Sequence, residues 1–354
     1  MFPKNTWYVA AWDHEIKRLR MQRRIILGDA VVLYRKSDGS PAALEDRCCH
    51  RHAQLSHGRL MGDNIECAYH GFRFAPDGRC VYIPTQDKIP TTASVRSFPV
   101  VEKYHWIWIW MGDPALADED LIPDFGIMDH PDWNWKGETL YVEGNYMLVV
   151  ENLMDLTHLP TLHRTTLADM SIPEKEYPTE YKIEKDGIEV NRWAMDTAIP
   201  GYFRVLAGWS RETRVDRWMN TFYTAPSFVL IDIGAAEAGS GARDGNRDKA
   251  VTTWNLNAIT PETESTSHYF WAQAQDFSSD DPTITDLDFE LVHTAFQEDL
   301  LMIKGQQENM ALAPHAFRFH QDADRAGVHA RGMVDSMIKS EMVAIVSDNN
   351  ESHD

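Results

Sequence analysis

Cysteine is scarce in this chain, four in 354 residues, too few to suggest the disulfide framework of a small secreted scaffold. The longest apolar run, Trp106 to Met111, falls far short of the ~20 residues that cross a bilayer. Basic residues are outnumbered, 34 Lys and Arg against 54 Asp and Glu, for a formal charge of −20. Such a surface repels nucleic-acid phosphates and anionic membranes. There is no G-x-G-x-x-G turn for a dinucleotide and no H-E-x-x-H zinc-protease pair. The N-terminus, Met1 to Trp12, lacks a basic segment followed by an unbroken apolar stretch and does not read as a signal peptide. These absences point to a cytoplasmic protein that engages neither nucleic acid nor membrane.

With 43% hydrophobic and 25% charged residues the composition is that of a globular chain, and its length suits two domains. Residues 1–116 alternate short β-type runs with turns: Ile25–Leu27 and Val31–Tyr34 flank Gly28-Asp29, and Pro76-Asp77-Gly78 closes a hairpin. A small antiparallel β domain follows, ending in the strand Trp106–Met111. Residues 117–343 form a second domain. It opens on an acidic connection, with a helix over Tyr146–Leu159 that Pro160 stops. Strands are expected at Gly187–Trp193, Thr221–Ile233, Val251–Thr260 and Ser267–Ala274, with a mobile loop at Gly234–Lys249. A long helix covers Thr283–Met310 and a shorter one Gly332–Val343, before a polar tail at 344–354. The fold class is α+β.

Two of the cysteines sit in a pattern, Cys48-x-His50 and Cys67-x-x-His70. Two loops, each offering one thiolate and one imidazole, are what a Rieske [2Fe–2S] cluster needs, with sulfur on one iron and nitrogen on the other. A structural zinc site uses the same residue types but commonly opens with C-x2-C, which is absent here. Cys49 reads as a non-ligand and Cys80 as a small buried hydrophobe. His52 and His57 fall outside the ligand spacing. Gly58 and Gly71 allow tight turns beside the cluster.

A second constellation is Asn152, Asp155 and His158, followed by His163. On one helix the first three would fall within an arc of about 120°, and His163 could fold back beyond Pro160. Two imidazoles and one distant carboxylate make the open face of a non-haem Fe(II) site. Asp299 is the candidate carboxylate, set in an apolar helical stripe of Val292, Ala295, Phe296, Met302 and Ile303. The pattern is met equally by an aspartate paired with a buried arginine or capping a helix. Its neighbour Glu298 lies nearer the polar edge.

These residues, with Asn5–Ala10, Trp108–Pro114, Asn152–His158 and Ile259–Glu264, make the chain resemble the Rieske non-haem iron oxygenases over Met1 to about Val343. It is similar to the oxygenase components of vanillate O-demethylase, toluenesulfonate methyl-monooxygenase and dicamba O-demethylase. The resemblance implies an N-terminal Rieske domain, a C-terminal helix-grip catalytic domain and a homotrimer. It places Asp299 as the carboxylate ligand and Asp155 as the acid bridging cluster and iron. Two positions depart from the family pattern: Cys49 replaces a usual Pro, and Glu151 stands where Asp is expected.

The expected activity is that of a terminal oxygenase using O2 and Fe(II) on a small aromatic acid, with O-demethylation leading and methyl or ring hydroxylation as alternatives. Electrons would come from NAD(P)H through a separate flavin and iron–sulfur reductase. A Rieske electron carrier is the rival from another class, and a zinc protein the third. For the substrate, Val229, Ile231, Asn255 and Asn257 lie on strands that alternate faces, so those facing inward could line a pocket. Arg211, Arg214 and Arg217 could hold a carboxylate or sulfonate, or remain solvated surface charges.

Overall fold

The computed structural model describes residues 1–173, 175–278 and 281–351. Two compact units emerge: Met1–Ile122 with Thr260–Glu264 and the described residues from Glu341, and Pro123–Ile259 with Ser265–Ser340. Among the described residues no helix is long and apolar enough to cross a membrane.

The first unit is built of three small antiparallel sheets. Trp106–Trp110 is the central strand of one, between Trp7–Trp12 and Val100–Lys103, and all five of its residues are buried. Its tryptophans pack edge to face on their neighbours, Trp7 against Trp110 at 5.5 Å and Trp12 against Trp106 at 5.4 Å, so the ladder is core. The four-stranded sheet of Arg59–Met61, Asn64–Glu66, Arg73–Phe74 and Cys80–Tyr82 carries the second Cys/His loop between its second and third strands.

In the second unit one seven-stranded sheet dominates. Its strands in chain order are β1 (Asn134–Val142), β2 (Glu180–Ile183), β3 (Gly187–Ala198), β4 (Arg214–Thr224), β5 (Phe228–Glu237), β6 (Val251–Thr263) and β7 (Thr266–Gln275), laid side by side as β1-β7-β6-β5-β4-β3-β2. The helices are α1 (Tyr146–Met154), α2 (Leu159–Leu162), α3 (Gly201–Ala207), α4 (Pro282–Leu312) and α5 (Arg325–Glu351). Helix α4 lies on the sheet in the helix-grip manner: Phe289 stacks on Trp271 at 4.8 Å, and Phe296 meets the same ring edge-on at 4.7 Å.

Several expected boundaries change. The run read as one strand at 221–233 is two, β4 and β5, because the chain turns at Ala225-Pro226-Ser227. Strand β5 continues to Glu237 through the start of the expected loop, and what remains of that loop is tethered. Arg247 Nη1 lies 2.8 Å from Asp232, and its guanidinium sits 4.3 Å over the ring of Trp218. Gly234 is required there, since a Cβ would fall 2.1 Å from that indole. Helix α5 starts at Arg325 and carries on to Glu351 through residues read as a tail; 352–354 lie outside the described residues.

The helix expected over 146–159 is the main correction. It ends at Met154, and Asp155 is extended at φ −99° and ψ 104°. The Asp155 Oδ1 accepts from the Thr157 amide at 2.8 Å and the Thr157 hydroxyl at 2.6 Å, so the side chain caps a new turn, Leu156–His158. Aspartate competes with the helix for its own downstream backbone in this way. Pro160 is no terminator; it occupies the first turn of α2, where its missing N–H costs nothing.

Candidate functional site

Cys48 and Cys67 are buried at the bases of two loops of the first unit, with His50 and His70 exposed at the tips. Both loops are closed alike. The Cys48 amide donates to the Ala53 carbonyl and the His52 amide to the Cys48 carbonyl, at 2.8 and 2.9 Å; the Cys67 amide donates to Phe72 and the Gly71 amide to Cys67, at 2.8 and 3.0 Å. Four places after each cysteine the backbone turns left-handed, φ 57° at His52 and 72° at Gly71. His52 therefore shapes its loop, a role its position outside the ligand spacing did not suggest. Gly58 has φ −83° and serves close approach instead, since a Cβ there would meet the Glu66 carbonyl at 2.0 Å.

The four donors are arranged two and two. The His50 and His70 rings lie 4.5 Å apart, with Phe72 stacked on His50 at 4.9 Å. Burial pushes the Cys48 thiol up, and Cys67 beside it adds to the rise, so a pair of thiolates here calls for adjacent positive charge. Desolvation and the neighbouring His70 lower the His50 pKa, favouring the neutral imidazole that ligation requires. Paired sulfurs and paired nitrogens fit a two-iron cluster better than one tetrahedral ion. Cys49 is exposed and Cys80 points its Sγ at the Tyr82 carbonyl, 3.4 Å away; neither belongs to the quartet.

In the second unit, His158, His163 and Asp299 bring three ligand atoms within 4.8 Å of one another. His158 comes from the turn that Asp155 caps, His163 from the end of α2, and Asp299 from the buried stripe of α4. Each imidazole Nε2 lies 3.5 Å from Asp299 Oδ1. The Asn152 side-chain amide donates to the same oxygen at 2.8 Å. Glu298 accepts from His163 Nδ1 at 2.7 Å and from the Thr166 hydroxyl at 3.1 Å. The adjacent carboxylates therefore divide the work, one facing the centre and one orienting a ring from behind.

The surroundings favour a cation. Burial alone would lower the His163 pKa, yet hydrogen bonds to Asp299 and Glu298 outweigh it and raise the value. Asp299 sits mid-helix, and its ion-pair partners among the described residues are the two histidines. Neither a buried arginine nor a helix cap explains it. A divalent ion fits this donor set, with one carboxylate and two imidazoles to hold it.

Two spaces adjoin the triad. A cavity of about 80 Å³ is walled mostly by apolar side chains, among them Leu167, Met219, Ile231, Ile233 and Phe296, with Asn255 and Gln273 as its polar members away from the triad. Ile231 and Asn255 thus line it. Val229 and Asn257 are opposite each other one step farther along the same strands and lie outside the lining. None of the three arginines lines it. Arg217 is buried with its guanidinium on the carbonyls of Asp169, Met170 and Ser171, Arg214 pairs with Asp196, and Arg211 is exposed. On the other side, a groove of about 490 Å³ is lined by Asn152, Asp155, His158, Met302 and Phe319. Asp155 spends Oδ1 on its cap.

Two known domain families cover most of the chain. Residues 6–99 match the Rieske [2Fe-2S] domain family, and residues 142–340 the vanillate O-demethylase oxygenase C-terminal domain family. The chain is 38% identical to the toluene-4-sulfonate monooxygenase iron-sulfur subunit of Comamonas testosteroni, over 96% of this chain and 98% of that one. It is 33% identical to a vanillate O-demethylase oxygenase subunit of Pseudomonas sp. (strain HR199 / DSM 7063), over 97% of each. The crystal structure of dicamba monooxygenase with non-haem iron and dicamba superposes with a TM-score of 0.82 at 31% identity, covering 97% of this chain and 99% of that one.

Proposed function

The chain belongs to the Rieske non-haem iron oxygenases, in the family of the vanillate O-demethylase oxygenase, and from that premise we propose that it O-demethylates a small methoxylated aromatic acid. The observation that carries this reading is the triad of half-buried His158 with buried His163 and Asp299, opening on an apolar-walled cavity. Cys48, His50, Cys67 and His70 would hold the [2Fe–2S] cluster and the triad the Fe(II). When bound, the cluster delivers electrons and the ferrous iron makes O2 reactive toward substrate.

The chain's own groups do the rest. Glu298 fixes the His163 ring so that Nε2 faces Asp299, and Asn152 holds the Asp299 carboxylate in place. The apolar walls exclude water and turn the substrate's methoxy carbon toward the triad. Insertion of one oxygen of O2 into a methoxy C–H bond gives a hemiacetal, which breaks its C–O bond to release the phenol and formaldehyde. The other oxygen leaves as water, taking up two electrons and two protons.

Those electrons would come from NAD(P)H by way of a separate flavin and iron–sulfur reductase, as this chain has no dinucleotide loop. We place the oxygenase in a homotrimer, with the groove at Asp155 receiving a second copy and its Asp155 carboxylate linking His158 to His70 of that neighbour. The toluene-4-sulfonate relative supports a second reading, in which an aryl methyl group takes the oxygen and no formaldehyde forms. Screening methoxybenzoates and aryl sulfonates with a reductase, following NADH consumption and formaldehyde, separates the two. Substrate-dependent NADH use without formaldehyde would reject O-demethylation.

A further inference from the structure

One buried chain of side-chain hydrogen bonds crosses the second unit and passes through the cavity wall. Tyr202 on α3 donates to Asp288 Oδ1 on α4 at 2.5 Å. Gln273 on β7 donates from Nε2 to the Tyr202 oxygen at 3.4 Å, and its carbonyl accepts from Asn255 Nδ2 on β6 at 3.1 Å. The Asn255 carbonyl accepts from Asn257 Nδ2 at 2.7 Å, and the Asn257 carbonyl from the Tyr269 hydroxyl at 2.6 Å. All six residues are buried.

Direction along this chain is set from one end. A carboxylate has no hydrogen to give, so charged Asp288 can only accept, at Oδ1 from the hydroxyl 2.5 Å away. Tyr202 must therefore donate to it, which leaves the Tyr202 oxygen to accept from Gln273. That turns the Gln273 carbonyl to Asn255 and the Asn255 nitrogen to Gln273. Of the two hydrogens on Asn255 Nδ2, one goes to Gln273, and the other has no acceptor among the described residues. Asn255 and Gln273 are the members of the chain that line the cavity. Among the described residues no lysine or arginine lines it, so a polar group on a ligand meets no guanidinium or ammonium from them there.

We propose that Asn255 donates its free amide hydrogen to the acidic group of the aromatic substrate, and that Asp288, acting through Tyr202 and Gln273, is the positioning residue that keeps this amide turned nitrogen-inward. The inference deepens the proposed function and rests on the cavity being the substrate site. It assigns a purpose to a buried carboxylate that has no cation beside it among the described residues, an arrangement that is otherwise costly. It also specifies that the acid is read by a neutral donor, which makes the Asn255 amide, with its orientation, the discriminating contact.

The test is titration calorimetry of the holoenzyme with vanillate and with guaiacol, which keeps the ring and methoxy group and lacks the acid. The expected result is that Asn255→Ala and Tyr202→Phe each weaken vanillate about tenfold while guaiacol changes less than twofold. Asp288→Leu should lose vanillate affinity similarly, and Asp288→Asn, which keeps an acceptor oxygen for Tyr202, should recover most of it. The recovery separates positioning from general destabilisation, and iron content with cluster absorbance monitors folding in every variant. Equal weakening of both ligands, no weakening of either, or parent protein that holds vanillate no more tightly than guaiacol would each overturn the inference. Vanillate that binds with this pattern yet yields no formaldehyde would refute the proposed reaction and leave the anchor in place.

Discussion

Glu298 Oε2 lies 2.7 Å from His163 Nδ1, while the next residue, Asp299, presents Oδ1 to the Nε2 of the same ring at 3.5 Å. Consecutive acids thus grip one imidazole from its two nitrogens. Removing each should have a different result. Asp299→Ala takes away one of three ligands, so iron should fall from about three to about two per chain while the cluster keeps its red-brown colour and reducibility. Glu298→Ala should retain the third iron but loosen it roughly tenfold, the usual cost of losing a carboxylate behind a ligating histidine. Metal analysis after graded chelation checks both, and the reverse order would mean that Glu298 is the ligand.

Asp155 keeps one oxygen for its cap and lies in the groove beside His158. If that groove receives a second copy of the chain, a cluster in one subunit serves the iron of the next. Co-expression of a His70→Ala chain with a His158→Ala chain should then restore part of the activity, because some neighbours pair an intact cluster with an intact iron. Mixed assemblies as inactive as their parents would show transfer confined within one chain.

The two metal constellations were legible because their chemistry is written in residue type and spacing. Cys48-x-His50 and Cys67-x-x-His70 are local, and Asp299 betrayed itself as a carboxylate in an apolar helical stripe. The break at Asp155 was hidden, since the capping bond to Thr157 competes with a helix that Leu153, Met154 and Leu156 favour. The turn after Thr224 was missed because β-type apolar residues resume at once beyond Pro226. The alternation of β5 and β6 left open which of Val229, Ile231, Asn255 and Asn257 face inward, because depth along a strand is set by what packs against it; of the four, Ile231 and Asn255 line the cavity. Nothing in the sequence joins Tyr202, Gln273 and Asp288, which meet from three separate elements.

Burial pushes the Asp288 carboxyl up to about 7, against hydrogen bonds from Tyr202 and Gln273 that favour its charged form. An unfolded aspartate titrates near 3.9, so between about pH 4 and 7 the folded protein holds a proton that the unfolded chain releases. Stability from this group is complete below about pH 4 and is lost as pH rises through 7. The stability of the parent relative to Asp288→Asn should therefore decline from pH 5.5 to about 8 and flatten above it, by an amount on the order of a few kcal/mol. Denaturant unfolding at stepped pH checks this, and a difference that grows with pH would have the wrong sign.

The most direct measurement of the assigned chemistry is a single turnover of reduced holoenzyme with vanillate under 18O2, without reductase. Attack on the methoxy carbon leaves the original ether oxygen on the ring, so the phenol should appear with formaldehyde in equal amount and carry no 18O. An aromatic product bearing 18O on the ring, formed without formaldehyde, would contradict O-demethylation.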